Sequence, residues 1–307
     1  MKNIYWVAGV VILLAVAAAY YIWHIEHPAV PPAPPVTLPA ADTAPQTLTY
    51  YCDGGKTMQA VFKNAADPAA SSTVELALSD GRTFDLPQQI SGSGMRYEAA
   101  STRYGTDVAF IGKGDQGFLT ENGKTTYADC TAADVTASDA PGYALYTDIG
   151  KTFSFAFPLS FTVAGSAVGF SPGWTALENS PGMVLAKIVV PAGYASSTNF
   201  GSATFTVGVS SDPSAVAACL KTPAGATATT TKVGDVIMTE LTGHDAGAGQ
   251  RYDTESYRAV HDNECYAVEY TIRYGVLANF PKGTKPFDEA TLAAALDEVA
   301  RSFIFLQ

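Results

Sequence analysis

Short runs of alternating apolar and polar residues begin at Leu48 and continue for about 80 residues. The clearest runs are 48–52, 58–62, 74–78 and 108–111, and Gly, Asn and Asp residues separate them. A period of two with turn residues between the runs is typical of antiparallel strands. Asp80-Gly81 and Asn122-Gly123 are dipeptides that tight β-hairpins favour. The pattern predicts an all-β fold over residues 47–133, a small antiparallel barrel or sandwich of about eight strands.

The second half of the chain combines strands with a final helix. Strand-like runs occur at 153–158, 184–190, 203–209, 236–241 and 267–273. Asp288 can then cap a helix whose apolar face holds Leu292, Leu296, Val299 and Phe303. Strands followed by a packing helix predict an α+β domain over residues 141–307. The polar stretch 131–142 is predicted as a connector, and the Gly-rich stretch 243–249 as a loop.

An apolar, uncharged run at residues 4–23 is long enough, at about 30 Å as a helix, to cross a bilayer. Tyr and Trp residues lie at both of its ends, as in the aromatic belts of membrane helices. We therefore expect residues 1–25 to be a single-pass transmembrane anchor with a cytoplasmic tip. The folded domains would then be extracytoplasmic, in the periplasm or at the cell surface. A cleaved signal peptide that ends near residues 15–19 is the alternative.

Between this run and the first strand lies a proline-rich segment. Seven prolines occur between Pro28 and Pro45, among Ala, Val and Thr. Such a composition excludes helix and sheet and favours an extended spacer, which rises about 3.1 Å per residue. Residues 26–46 are therefore predicted to be a linker that holds the folded part away from the membrane.

The charge and the cysteines limit the possible partners. Only 15% of the residues are charged and the formal net charge is −11, which argues against nucleic acid and favours a basic protein as partner. The chain has four cysteines, no CxxC and no Cys/His cluster with zinc spacing, so neither a metal nor another cofactor is expected. Four cysteines allow three pairings. We favour Cys52–Cys130 and Cys219–Cys265 because each disulfide then lies within one predicted domain.

Catalytic motifs are absent from the sequence. Of the four histidines, His24 and His27 adjoin the apolar run, so only His244 and His261 lie in predicted folded regions. No G-x-S-x-G, HExxH or phosphate-binding loop accompanies them. The chain is therefore predicted not to be an enzyme. A hidden site built from His261, Asp262 and Glu264 is the one alternative.

Between Cys52 and Cys130 the motifs follow a recognisable order. The segment Ile90-Ser91-Gly92-Ser93-Gly94-Met95-Arg96-Tyr97 follows an Asp-Gly hairpin, and Lys113-Gly114-Asp115 comes next. This order resembles the membrane-bound and periplasmic inhibitors of C-type lysozyme (MliC/PliC). The resemblance implies an eight-stranded barrel with a disulfide near its ends, and C-type lysozyme as the partner.

The resemblance also implies which residues act. Ser93 matches the inhibitory serine and Lys113 the inhibitory lysine, both of which the family inserts into the lysozyme cleft. Gly92 and Gly94 would let the serine loop approach closely, and Tyr97 completes the predicted lysozyme-binding set. Three features differ from the family pattern. Phe110-Ile111 replaces the Phe-Trp before Lys-Gly, and the Ala/Glu that follows Lys-Gly is replaced around Gln116-Gly117. The stretch from Tyr97 to Lys113 is also longer.

The sequence therefore predicts a membrane-held inhibitor of C-type lysozyme that protects peptidoglycan. The alternative is a membrane-tethered binding module that acts through residues 141–307. That region faintly resembles the PsbP/Mog1-like α/β/α sandwich, a likeness of fold that carries no function.

Overall fold

The computed structural model describes residues 44–65, 71–165 and 182–306. The predicted anchor, residues 1–25, and nearly all of the predicted linker, residues 26–46, lie outside the described residues. Within the described ranges, none of the helices has both the length and the apolar character that a membrane crossing requires. Residues 43–307 form one compact unit.

Antiparallel strands make up most of this unit. The strands are β1 (Gln46–Tyr51), β2 (Thr57–Lys63), β3 (Thr73–Leu78), β4 (Thr83–Pro87), β5 (Met95–Ala99), β6 (Val108–Lys113), β7 (Gln116–Glu121), β8 (Lys124–Ala137), β9 (Tyr143–Asp148), β10 (Phe153–Pro158), β11 (Thr162–Ala164), β12 (Met183–Val190), β13 (Phe200–Ser210), β14 (Thr227–Val233), β15 (Val236–Gly247), β16 (Gln250–His261), β17 (Glu264–Gly275) and β18 (Ile304–Phe305). The helices are α1 (Ser101–Tyr104), α2 (Pro213–Ala218) and α3 (Glu289–Arg301), with 3-10 turns at Asp53–Gly55 and Leu277–Asn279.

Strands β1–β8 form an almost closed ring. Neighbours in sequence pair with each other except at β4 and β5, and β8 pairs back onto β1. At the β4–β5 seam the connections are a bridge between Gln88 and Tyr97 and a bond from the Gln89 N–H to the Arg96 carbonyl. The predicted all-β fold with eight antiparallel strands is therefore present, but in the described residues the strands do not close into a barrel. Pro87 ends β4, and the chain then leaves the ladder in the loop that carries Ser93.

The interior of this ring is a separate apolar core. Its largest fully buried side chains are those of Tyr50, Tyr127, Phe110, Met58 and Leu76. Buried and exposed positions alternate along β2 and β3, as the period of two predicts. The Cys52–Cys130 disulfide lies in this core, and Cys219 pairs with Cys265. Both predicted pairings are confirmed.

Strand β8 connects the two halves of the chain. Its first part pairs with β7 and β1, whereas residues 133–137 pair with β9. The predicted connector over 131–142 is therefore wrong up to Ala137. Thr131, Ala132 and Ala133 are buried because β8 has neighbours along both sides. The division into domains at 47–133 and 141–307 stays a prediction, since one sheet runs through the boundary.

The second half packs around a second core. A seven-stranded sheet has the order β11-β12-β13-β17-β16-β15-β14. Helix α3 and the aromatic residues of β9 and β10 share one hydrophobic core with this sheet. The helix begins as predicted, because the Asp288 carboxylate accepts the Thr291 N–H at 3.1 Å. Its predicted apolar face, which includes Leu292 and Leu296, is buried.

The stretch 243–249 is not the predicted loop. Residues 243–247 belong to β15, which pairs with β16 over residues 239–247. A two-residue turn, Ala248-Gly249, joins the strands with φ angles of 49° and 77°. Positive φ at both turn positions is the geometry that tight hairpins favour. Only Gly249 lies in the turn, whereas Gly243 and Gly247 belong to β15.

Candidate functional site

Ser93 lies in the loop between β4 and β5, and the ends of this loop are fixed. The Gln89 N–H donates to the Arg96 carbonyl at 2.8 Å, which closes the base of the loop. Inside the loop, the Ser91 hydroxyl donates to the Ser93 carbonyl at 2.9 Å. Ser93 itself is exposed. The Ser93 side chain is thus exposed to solvent, while a hydrogen bond fixes the backbone at the base of its loop.

Lys113 is the last residue of β6. It pairs with Gln116 across a two-residue turn, and Gly114 in that turn has a φ of 61°. This is the left-handed region that glycine adopts without strain. The Lys113 side chain is exposed, and it forms no ion pair within the part of the chain that the structure describes. By contrast, Arg96 on the adjacent strand is paired with Glu98 at 2.6 Å.

Ser93 and Lys113 line the same groove, which has a volume of about 690 Å³. They come together because β5 and β6 are paired, with Met95 opposite Gly112. The serine loop immediately precedes β5 and the lysine immediately follows Gly112. The antiparallel register thus brings to one edge two residues that are 20 positions apart.

Gly94 allows this close approach. Its φ is 73°, and a Cβ added there would lie 2.4 Å from the Gly112 carbonyl oxygen and 3.3 Å from the Lys113 Cβ. Both its conformation and its space therefore require glycine. Gly92 differs, because a Cβ added there would meet no atom within 4 Å. Of the two predicted glycines, only Gly94 is required by the geometry of the loop.

Tyr97 anchors the strand that follows the serine loop. Only 5% of it is exposed, and its ring packs in the core against Phe62 and Phe110 at 5.8 and 6.5 Å between centroids. Burial raises the pKa of its hydroxyl. Tyr97 therefore holds β5, the strand that follows the serine loop, against the apolar core of the ring.

The groove also contains an acidic residue. Asp129 lines it, and the pKa of its carboxyl is raised by burial and by the nearby Asp53, while Lys187 acts in the opposite direction. The pKa of Asp115, in the turn after Lys113, is also raised by burial and by Asp148. Raised pKa values mean that the ionised forms are less favoured here than in water. Neither carboxyl forms an ion pair with Lys113 in the described part of the chain.

The longer stretch between Tyr97 and Lys113 lies away from the groove. It contains α1, at the end of β5 and β6 opposite to Ser93 and Lys113. The Tyr104 ring packs edge-on against Phe84 at 5.1 Å. Its hydroxyl bonds to the backbone of Asp85. The added residues are therefore at the end of the β5–β6 pair that is remote from Ser93 and Lys113.

The alternative catalytic residues are involved in packing. His261 stacks on Phe305 with 3.9 Å between ring centroids, and Glu264 accepts a hydrogen bond from the Tyr266 hydroxyl. Asp262 lies in the β16–β17 turn with a φ of 49°. His261 Nε2 lies 3.5 Å from Asp262 Oδ2, so these two residues of the alternative site are in contact. In the described residues, no group of three or more His, Cys, Asp or Glu side chains could hold a metal ion.

The contact between His244 and Asp253 was not predicted from the sequence. His244 Nδ1 lies 2.5 Å from Asp253 Oδ1 on the neighbouring strand. The hydrogen bond to Asp253 raises the pKa of His244. The pair depends on the β15–β16 register, in which these residues are opposite each other. Only the length of the hairpin, which the Ala248-Gly249 turn sets, could have revealed it.

Comparison with known structures gives weak similarities. LpqN, a protein of cell envelope biogenesis from Mycobacterium tuberculosis, matches at 10% identity with a TM-score of 0.29, over 57% of this chain and 91% of LpqN. The MucA/MucB complex of Pseudomonas aeruginosa matches at 12% identity with a TM-score of 0.21, over 86% of this chain and 93% of the matched chain. No curated protein sequence matches the chain.

A comparison with protein families gives a specific result. A family model described as the membrane-bound lysozyme-inhibitor of c-type lysozyme, MliC, matches residues 50–127. These residues include the serine segment and the Lys-Gly turn, so the resemblance predicted from the motifs is confirmed. Members of this family are inhibitors and not enzymes, and their description names C-type lysozyme as the partner. Residues 50–127 therefore match the MliC family of lysozyme inhibitors.

Proposed function

We propose that this protein inhibits C-type lysozyme by inserting Ser93 and Lys113 into the catalytic cleft of the enzyme. The observation that supports the proposal most directly is that both residues are exposed on the wall of one groove. The family match over residues 50–127 supports the choice of partner. In the cell envelope, such an inhibitor would protect peptidoglycan.

The chemistry of the cleft explains the choice of a lysine. Lysozyme uses two carboxyl groups, one protonated as general acid and one ionised. The Lys113 ammonium can form a charge-assisted hydrogen bond to either carboxylate and occupy the place of the substrate. It also favours ionised carboxylates and so opposes the protonated state that the general acid needs. Ser93 can donate or accept a hydrogen bond beside it.

The charge of the whole chain suits the same partner. The net charge is −11, and a lysozyme of this class is a basic protein. Opposite net charges raise the rate of encounter. The family description as membrane-bound agrees with an anchor over residues 1–25 and a linker over 26–46, which would hold the folded part outside the cytoplasm.

The test is the lytic activity of a C-type lysozyme titrated with residues 43–307, the compact unit. We expect inhibition at micromolar concentration or below. Lys113→Ala removes the inserted charge, which is worth about 2–5 kcal/mol in comparable interfaces, or at least about thirtyfold in potency. Ser93→Ala should weaken inhibition by about tenfold or more.

Lys124→Ala is the matched control. Lys124 is also an exposed lysine beside a hairpin turn, but it is at the other end of β7. Its removal should change potency by less than about threefold, because a peripheral charge affects mainly the encounter rate. Absence of inhibition by the unmodified unit would reject the function. Full potency of both Lys113→Ala and Ser93→Ala would reject the mechanism.

A further inference from the structure

Two side chains are too small to form a stable protein interface. A specific interface buries about 800 Å² on each partner, far more than one serine and one lysine can supply. Ser93 and Lys113 are part of the groove wall. Any protein that covers them must therefore also cover the groove surface that adjoins them.

That adjoining surface is apolar. Ile111 and Phe118 point to the outside of the sheet, since their neighbours Gly112 and Gly117 are buried. They are direct cross-strand partners and both line the groove. Each is only partly buried. The pair forms a continuous apolar strip across β6 and β7, next to Lys113.

Ile90, on the serine loop, is a further exposed apolar residue, and it lines a second depression together with Arg96 and Glu98. It has a relative exposure of 102%, the highest among the large apolar residues of the described chain. It follows Gln89, whose N–H bond to the Arg96 carbonyl fixes the base of the loop. Arg96 is in turn the cross-strand partner of Ile111. An apolar side chain on a fastened backbone can be buried by a partner with little loss of conformational entropy.

The local charge of Lys113 and the net charge of the whole chain favour the same kind of partner. Lys113 requires an acidic pocket, whereas the net charge of −11 favours a partner that is basic overall. A C-type lysozyme combines both features, with an acidic cleft in a basic protein. The same molecule that receives Lys113 therefore lies over the neighbouring surface.

We propose that Ile90, Ile111 and Phe118 form an apolar rim that packs against the lysozyme surface beside its cleft. The proposal rests on the proposed function and adds the surface that supplies affinity around the inserted residues. Apolar residues around the inserted Ser93 and Lys113 side chains would exclude water from them. Exclusion of water strengthens the electrostatic contacts that these side chains make. Ile90 is the residue of this rim that can be changed without disturbing the fold.

The test compares Ile90→Ser with Ile237→Ser in residues 43–307. Ile237 is the matched control, an isoleucine with 72% exposure on β15 of the other sheet. Ile90→Ser should weaken lysozyme binding by about tenfold to a hundredfold, mainly through faster dissociation. Ile237→Ser should change it by less than about twofold. Both variants should melt within a few degrees of the unmodified unit, and Ile90→Leu should restore tight binding.

Salt provides a second readout. The loss caused by Ile90→Ser should be the same at low and high ionic strength, whereas the loss caused by Lys113→Ala should vary with salt. Unchanged binding of Ile90→Ser, with Lys113→Ala still weakened, would overturn the rim and leave the proposed function standing. Absence of inhibition by the unmodified unit would overturn both. A loss of equal size in Ile90→Ser and Ile237→Ser would also overturn the rim.

Discussion

The two halves of the described chain use charged groups differently. Around β1–β8, Ser93 and Lys113 are exposed, and the charged groups that pair with one another do so at the surface. Surface ion pairs also occur in the second half. Arg301 binds Asp297 at 2.6 Å, and the Tyr257 hydroxyl donates to the same carboxylate.

Burial strengthens this contrast. Arg258 and Glu269 are 1% and 2% exposed, on adjacent strands of the second sheet. Buried charges of this kind need partners inside the protein. Exposed groups without protein partners can be used by another molecule. The comparison therefore favours the proposed recognition by Ser93 and Lys113, whereas the buried charged groups of the second half support its fold.

The disulfides offer the largest test of this contrast. Replacing both Cys52 and Cys130 by Ser opens a loop with a sequence separation of 78, and replacing Cys219 and Cys265 opens one of 46. Each change should lower the free energy of unfolding by about 4 kcal/mol. Only the first should also reduce inhibition at temperatures where the protein stays folded, because Cys130 lines the groove. Urea unfolding and lysozyme titration measure the two effects, and equal losses of inhibition would break the contrast.

A smaller effect is expected from Glu269. Burial raises its pKa from 4.5 to about 7, although the neighbouring Arg258 acts in the opposite direction. The folded state therefore holds the proton more tightly than the unfolded state. This contribution to stability is complete below about pH 4.5 and is lost as the pH rises to about 7, by up to about 3 kcal/mol.

Glu269→Gln should remove that pH dependence. Urea unfolding at pH 5 and pH 7.5 measures it, and the variant should show a smaller difference between the two values than the unmodified unit. Lysozyme inhibition by the variant should be retained at both pH values. An unchanged pH slope would show that Glu269 does not carry the proton.

The smallest effect on stability is expected from Gly94→Ala. A residue with a side chain is strained at a φ of 73°, and its Cβ would collide with the Gly112 carbonyl. We expect a loss of about 1–3 kcal/mol in stability, with weaker inhibition because the serine loop moves away from Lys113. Gly92→Ala is the control for stability, since its Cβ meets open space, and should change stability by no more than about 0.5 kcal/mol. Equal melting temperatures of the two variants would contradict the prediction.

Much of the fold follows from local patterns. The alternating runs at 58–62 and 74–78 became β2 and β3, and the Asp288 cap began α3. The proposed site residues are predicted by their order along the chain. They line one groove because of the β5–β6 register. Resemblance to a family of known fold implies such a register, whereas a single short motif does not specify it.

The features that could not be predicted depend on distant contacts. Strand β14 is an exposed edge strand rich in threonine, so it lacks the contrast between buried and exposed positions. The far part of β8 is small and polar in sequence, and its pairing with β9 is what makes it a strand. Likewise, the open seam between β4 and β5 depends on where the chain leaves the ladder after Pro87. No local sequence pattern predicts these strand pairings or the seam.

The single strand that runs from Lys124 to Ala137 has a thermodynamic consequence. Because it is hydrogen-bonded to members of both cores, neither core can lose its ordered strands without exposing backbone groups of the other. Local opening should therefore be cooperative across the unit. A ligand held near Lys113 would slow amide hydrogen exchange in β9 as well, although β9 is not part of the groove.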